Sequence, residues 1–538
     1  MWHPFVLLLP KKRSVIIGDS YMRSLGKFIC YIAVMLLMCS LAGCGDEKAA
    51  IGSNIYKDTV VLAAYRHLAP GEKDGFYCSK ILDVWEPLIT NDEITGKPAP
   101  CLAERWEMAD GGRTWRFYLK KNVVFHDGSK FNADSVIANI QRMKKGLKHS
   151  GFYNLDINNF YPSLDQVRKI DEYTLEFTFK KANINQLYNM MNFGSAMYAP
   201  ACLDDEGNFS GVAIGTGPFY IAENKLGQYV RLVRFDQYHG EKAASSEIII
   251  RNIPSADTRF AALKSGEIMG VLDLNAMPPV LSEELVKDSQ FAVSTCKSTM
   301  VRFLLVNGNK FPFNDVRMRK AISLLIDRQV LTDSLYLGYA VPTVNILSYS
   351  SPFHKDYAIE HDVELAKKLA QDVLQGERAK IVYCINGAEP LQKGEAELLA
   401  YWFGEIGLDV EIQPLEYAVM TDILKKGEYN LARSQQGLPN GDPQFIFNYF
   451  LMPNMGRNKS NSLGYVNNRV PMLMEQLSIT VDKEQRKHIY DEIQDISVDE
   501  LPVIPLYYDE NIVVYNRKLT GYQACTYGVS LNRIAVKE

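Results

Sequence analysis

The stretch GEAELLAYWFGEIGLDVEIQPL, residues 394–415, constrains the fold more than any other part of the chain. Its first two-thirds carry apolar residues at helical spacing up to Gly407. From there Leu408, Val410 and Ile412 alternate with Asp409 and Glu411. The periodicity changes within one or two residues, which predicts a helix ended by a glycine and passing at once into a strand with one buried face. VDKEQRKHIYDEIQDISVDELPVIPLYYDENIVVY, residues 481–515, repeats the scheme. Asp482 is the expected cap with Gln485 three residues on. Ile489, Ile493 and Ile496 form the stripe, and Pro502 and Pro505 are expected to stop the helix before the next strand.

Other segments obey the same grammar. In FHDGSKFNADSVIANIQRM (125–143) Asp127-Gly128 supplies a turn and Asn132 a cap, and Val136, Ile140 and Met143 share a helix face. TLEFTF (174–179) alternates as a strand. In FPFNDVRMRKAISLLIDRQVL (311–331), Asn314 or Asp315 caps a helix that turns Val316, Ile322 and Leu325 inward and leaves Arg317, Arg319 and Lys320 in solvent. Helices and strands interleaved in this way, without tandem repeats or low-complexity linkers, predict an α/β fold with more than one mixed sheet. At 538 residues the chain exceeds what one hydrophobic core serves, so two or more lobes are expected. Hydrophobic residues at 47% and charged residues at 23% are values of a globular chain. The net charge of −4 argues against nucleic-acid binding, which calls for a basic excess.

Only residues 28–43 are apolar enough to enter a membrane, and the run is shorter than the roughly twenty residues a spanning helix needs. Arg23 and Lys27 precede it and small residues end it, the pattern of a secretory signal over 22–43, with 1–21 an upstream extension before Met22. Leu41-Ala42-Gly43-Cys44 resembles the bacterial lipobox, in which the cysteine thiol receives a diacylglycerol and the chain is cut before it. A plain signal anchor with an incidental cysteine is the alternative. Residues 44–55 then form a lipidated end and hydrophilic tether, placing the protein on the outer face of the cytoplasmic membrane or the periplasmic face of the envelope. Cys78, Cys101, Cys202, Cys296, Cys384 and Cys525 follow at wide spacings without a CxxC pair, so most are expected as buried thiols.

No constellation for catalysis emerges. IGTGPFY (214–220) invites a phosphate-loop reading, but Pro218 removes a backbone donor, no GK[ST] follows, and the next residues read as a hairpin; its glycines are expected to serve a tight turn. There is no G-x-S-x-G or HExxH motif, and no two histidines share a helix face at metal-ligand spacing. An enzyme is not expected, nor a cofactor or bound metal.

Taken in order, these segments resemble the extracellular solute-binding proteins of family 5, which feed peptide and nickel ABC importers. The resemblance is carried by residues 102–143, by IGTGPFYIAENKLGQYVRLVRFDQYHGEK (214–242), by 312–342, by GEIGLDVEIQ (404–413) and by DELPVIPLYY (499–508). It implies a two-lobed periplasmic-binding-protein-like fold of type II, in the large family 5 form, with mixed sheets and a hinge. A first lobe of 56–272 would be completed by 507–538, with a second lobe of 273–506 inserted between. It implies a monomer that captures a small solute in the interlobe cleft, closes over it, and docks on an ABC permease with its ATPase subunits.

The central block is most similar to the nickel-binding branch through KLGQY (225–229) and HGEK (239–242). That branch holds a metal chelate with an arginine before an AP pair, where this chain has Ala196, and a second arginine where it has Phe193. A metal-binding histidine of the branch falls at or near Met455, and its aromatics near Gly437 and Gly441. Peptide receptors of the family pair the ligand amine with an aspartate where Pro439 stands, beside a retained Asp442-Pro443. Resemblance also points to Tyr77, Cys78, Lys148, His149, Phe152, Thr526 and Tyr527 as cleft residues. A pocket with aromatics and few fixed charges suits an oligopeptide or an uncharged chelate better than a polycarboxylate. The rival reading is a degenerate receptor that serves as a sensory or surface interaction protein without import.

Overall fold

The computed structural model describes residues 59–68, 81–92, 96–145, 157–192, 194–387, 389–438 and 443–537. The chain divides into Met1–Lys57, which lies outside the described residues, and one compact unit, Asp58–Glu538. The predicted signal, Cys44 and the whole of the 44–55 tether belong to the former.

Local signals in the sequence set most helix ends. Asn132 Oδ1 accepts from the amides of Asp134 and Ser135 at 3.0 and 3.2 Å, starting the helix Ala133–Lys145, and Val136, Ile140 and Met143 are buried on one face. Asp482 Oδ1 accepts from the Gln485 amide at 2.9 Å at the start of Lys483–Glu500. The helix Pro390–Glu405 ends before Gly407, whose φ of 88° lies in the left-handed region that glycine tolerates, and Leu408–Leu415 follows as a strand. Thr174–Phe179 is a strand with alternating burial.

Four local expectations need correction. The run 311–331 makes two helices, Val316–Leu325 and Arg328–Tyr336, because Asp327 caps the second through the Val330 amide at 2.9 Å. With Asp315 as the first cap, Val316 is exposed and the buried stripe is Met318, Ala321, Ile322 and Leu325. Arg319 is half-buried rather than fully solvated. Its guanidinium donates to the carbonyls of Glu500 and Phe313, both at 2.8 Å, and so satisfies an orphan carbonyl at the end of Lys483–Glu500. Finally, Pro502 stops that helix but Pro505 lies inside the strand Val503–Asn516, at a register shift between Arg302 and Phe303 of its partner strand, where its missing N–H is tolerated.

An eleven-stranded mixed sheet runs through the compact unit. Its order is Leu408–Leu415, Ala379–Asn386, Leu431–Gln436, Phe291–Val306, Val503–Asn516, Gly270–Val271, Thr59–Ala64, Glu247–Asn252, Tyr229–Arg234 and Phe219–Lys225, with Ala340–Pro342 paired off the path. A separate antiparallel sheet holds Ala103–Ala109, Thr114–Leu119, Thr174–Phe179 and Leu164–Asp171. The long antiparallel pair Phe291–Val306 and Val503–Asn516 joins the two ends of the large sheet, with register shifts at Lys297/Val301 and Arg302/Phe303.

The hydrophobic cores divide along this pair. The first core gathers residues between Val60 and Leu272 and takes back Val513, Leu519, Leu531 and Ile534 from the C-terminal end. Beyond the register shifts, side chains alternate across the sheet. Leu304 and Val306 enter one core with Ile322, Leu399 and Phe403, while Val301, Phe303 and Leu305 enter another with Ile446, Phe447 and Tyr490. A fourth, smaller core packs Ala63, Leu263, Leu285 and Val514.

Candidate functional site

A cavity of about 340 Å³ opens in the wall of the first core, where 83–91, 192–196 and the C-terminal segment 525–532 meet. Its back wall depends on glycine. A Cβ on Gly215 or Gly217 would overlap the carbonyl oxygens of Val84 and Asp83, so the IGTG segment before the strand Phe219–Lys225 can lie against 83–85 only without side chains there. The Gly217 amide donates to Val84 O at 2.9 Å, and the Gly215 carbonyl accepts from the His126 amide at 2.9 Å. These glycines serve close backbone approach rather than the tight turn expected. The hairpin of Phe219–Lys225 and Tyr229–Arg234 follows as predicted.

Glu86 organises the polar side of the cavity. Its carboxylate accepts from Thr216 Oγ1 at 2.8 Å and Tyr238 OH at 2.9 Å, and pairs with His239 Nε2 at 2.8 Å. Burial, reinforced by the Glu86 charge, holds the Tyr238 phenol far above the ordinary tyrosine range, so it remains a donor at any physiological pH. Asp83 accepts from the amides of Leu531 and Asn532 at 2.8 and 3.3 Å and pins the C-terminal segment to this wall. Asn511 Nδ2 donates to the carbonyls of Cys525 and Thr526 at 3.3 and 3.0 Å, which orients the segment that carries Tyr527. The Trp85 indole is held by Ala213 O at 2.8 Å.

Of the residues singled out from sequence, Ala196 and Tyr527 line this cavity. Ala196 is buried and bridges to Pro87. Tyr527 OH donates to Leu438 O at 2.9 Å, reaching from the first core's C-terminal segment to a residue of the third core. Thr526 is its neighbour. Gly437 and Met455 stand elsewhere: Gly437 lies against Thr299 and Met300, and Met455 is half-exposed before the short helix Gly456–Ser460. Tyr77, Cys78, Lys148, His149, Phe152 and Asp442 fall outside the described residues, as does Cys44. The sequence reading missed Asp83, Trp85, Glu86 and Tyr238. The only signal for them was indirect, in the IGTGPFY and HGEK blocks whose glycines and His239 require partners to lie against.

Cys202 and Cys384 are buried free thiols, and Cys296 is a partly buried one. Burial pushes the Cys384 and Cys296 thiols up to about 11, so neither is a reactive thiolate near neutral pH. Among the described residues no group of three or more His, Cys, Asp or Glu side chains is placed to hold a metal ion.

The profile of the bacterial extracellular solute-binding proteins, family 5 Middle, matches residues 97–457. The chain belongs to that family. Heme-binding protein A of Haemophilus influenzae is 26% identical over 80% of this chain and 82% of its own length. The probable ABC transporter periplasmic-binding protein SapA of Escherichia coli is 25% identical over 82% and 85%. Among solved structures, NikA from Brucella suis in complex with Fe(III)-EDTA superposes with a TM-score of 0.78 at 21% identity, over 89% of this chain and all of that one. DppA from Helicobacter pylori in complex with the peptide STSA gives 0.71 at 22%, over 89% and 99%. The fold is therefore the two-lobed mixed α/β architecture of family 5 binding proteins, as the sequence implied. Family members are solute-binding proteins rather than enzymes, and these relatives do not favour the sensory alternative. No helix among the described residues is long and apolar enough to cross a membrane.

Proposed function

We propose that this family 5 protein captures an oligopeptide or a metal chelate between its lobes and delivers it to an ABC permease, without bond chemistry of its own. The observation that carries this is the cavity of about 340 Å³ beside the first core, bordered by Ala196 and Tyr527. It is of the size that holds a small molecule, on the order of 300–1,000 Å³. Asp83 and Glu86 contribute negative charge there, but their oxygens already accept from the protein's own donors. Lys120 also lines the cavity and brings a positive charge to it, which supports a solute with an anionic end that is otherwise recognised by aromatic and amide contacts.

The lobes expected from sequence are 56–272 with 507–538, and 273–506. The division of the cores supports a return near 506, because Leu506, Tyr507 and Tyr508 pack with the second and third cores and Val513 with the first, whereas Met277, Leu285 and Phe291 pack with Ala63 and Leu263 in the fourth core and favour a first crossing between Phe291 and Val301 rather than near 273. We further assign a monomer, carried on the outer face of the membrane by a lipid on Cys44.

Native mass spectrometry of protein purified from the exported fraction, with metal analysis of the same sample, tests the reading. A bound mass in the range of a short peptide or a metal–chelator complex is expected. Ala196→Trp, which fills the cavity, should lower occupancy at least tenfold, roughly 1.4 kcal/mol or more of lost binding, with a lower thermal transition because the ring also overpacks a buried position. Protein that carries nothing, and gains no thermal stability from peptide pools or from nickel–histidine, would reject the proposal.

A further inference from the structure

Asn185 stands at the N-cap of the short helix Gln186–Met190 but makes no capping bond there. An asparagine in that place ordinarily accepts from the first-turn amides, to local benefit. Here its side chain is turned across to the other lobe. Asn185 Nδ2 donates to Gln444 Oε1 at 2.7 Å, and Asn185 Oδ1 accepts from Arg486 Nη2 at 3.0 Å. Gln444 lies in Pro443–Phe450 and Arg486 in Lys483–Glu500, both packed in the third core, while the helix after Asn185 packs against the first.

The receiving side is rigid before contact. Arg486 is buried, and its guanidinium also donates to Leu477 O at 2.7 Å, Thr480 O at 3.0 Å and Tyr490 OH at 3.1 Å. All of these partners belong to its own lobe, so the head group needs no reordering when Asn185 arrives. None of Asn185, Gln444 and Arg486 lines the solute cavity. Tyr527, the other bridge described above, does line it.

We propose that Asn185, Gln444 and Arg486 form a clasp that favours the closed state independently of solute. The inference rests on the two-lobed closing mechanism proposed above. Its consequence is that the protein without solute samples the closed form, and that the clasp tunes apparent affinity through the closed fraction without touching the ligand.

The test is single-molecule energy transfer on the full chain without solute, between dyes on unnatural residues at the exposed Val212 and Val466, one in each lobe. Loss of hydrogen bonds that include one to a charged group predicts that Asn185→Ala raises the open-to-closed ratio about tenfold. Asn185→Asp keeps an acceptor for Arg486 and should remain within about twofold of wild type. An unchanged distribution in Asn185→Ala, or equal opening in both variants, overturns the clasp. Thermal shifts with peptide probes read the cavity separately, so a failed clasp and a failed solute assignment are distinguishable.

Discussion

Asp273 is almost wholly buried, and one carboxylate oxygen accepts the Tyr65 amide at 2.8 Å while Oδ1 has no hydrogen-bond partner among the described residues. Desolvation pushes its pKa up to about 6 from an ordinary 3.8, against the opposing pull of the Tyr65 amide, Arg66 and Arg259. The sign of the linkage follows. Between these two values the unfolded chain has released the proton and the folded chain retains it, so stability falls as pH rises and levels off above about 6. Asp273→Asn keeps an acceptor for Tyr65 and removes the charge. Urea denaturation should show the variant gaining on wild type by about 2–3 kcal/mol between pH 4 and pH 7. A constant difference across that range would mean the carboxylate is already ionised at pH 4.

Between elements, a deeply buried charge pair joins the helix Pro390–Glu405 to the strand Leu431–Gln436. Arg433 Nε donates to Glu395, Arg433 Nη2 donates to Tyr507 OH at 2.5 Å, and Tyr336 OH reaches the same carboxylate at 3.1 Å. Glu395 is completely buried. Glu395→Ala leaves the guanidinium without its counter-charge and should cost about 3–5 kcal/mol, read as a lower urea midpoint at an unchanged slope. Sequence gave no hint of this network, since a glutamate on a helix reads as solvated and its partner is 38 residues away. The same limit explains the other local misses. Asn132, Gly407 and Asp482 act on amides or dihedrals within a few residues and were legible. Arg319 caps a helix that ends at Glu500, Pro505 sits opposite a bulge in another strand, and Gly215 and Gly217 make room for 83–85; each is defined by a partner far along the chain.

For the whole molecule, family blocks in order carried the fold, whereas the site was only partly legible because a cleft wall draws on distant segments. Ala196 and Tyr527 are more than three hundred residues apart, yet both border one cavity. Attachment is the remaining question at this scale. The LAGC sequence ending at Cys44 is followed by the hydrophilic GDEKAAIGSN before the first strand at Thr59. Two acyl chains hold a protein on a bilayer where one does so marginally. A ten-residue linker of this composition spans an r.m.s. distance of about 15–20 Å, which under the proposed attachment at Cys44 would keep the receptor at a high local concentration around a permease. Cys44→Ser should leave solute affinity within about twofold of wild type, because the role proposed for the thiol is attachment and not solute contact. It should also shift the protein from the detergent-released membrane fraction to the soluble or secreted one, and slow uptake by cells at limiting solute. Membrane fractionation and uptake measured on the same strains check both parts. A variant that stays with the membrane would show that the apolar run 28–43 anchors the chain by itself, with the thiol incidental.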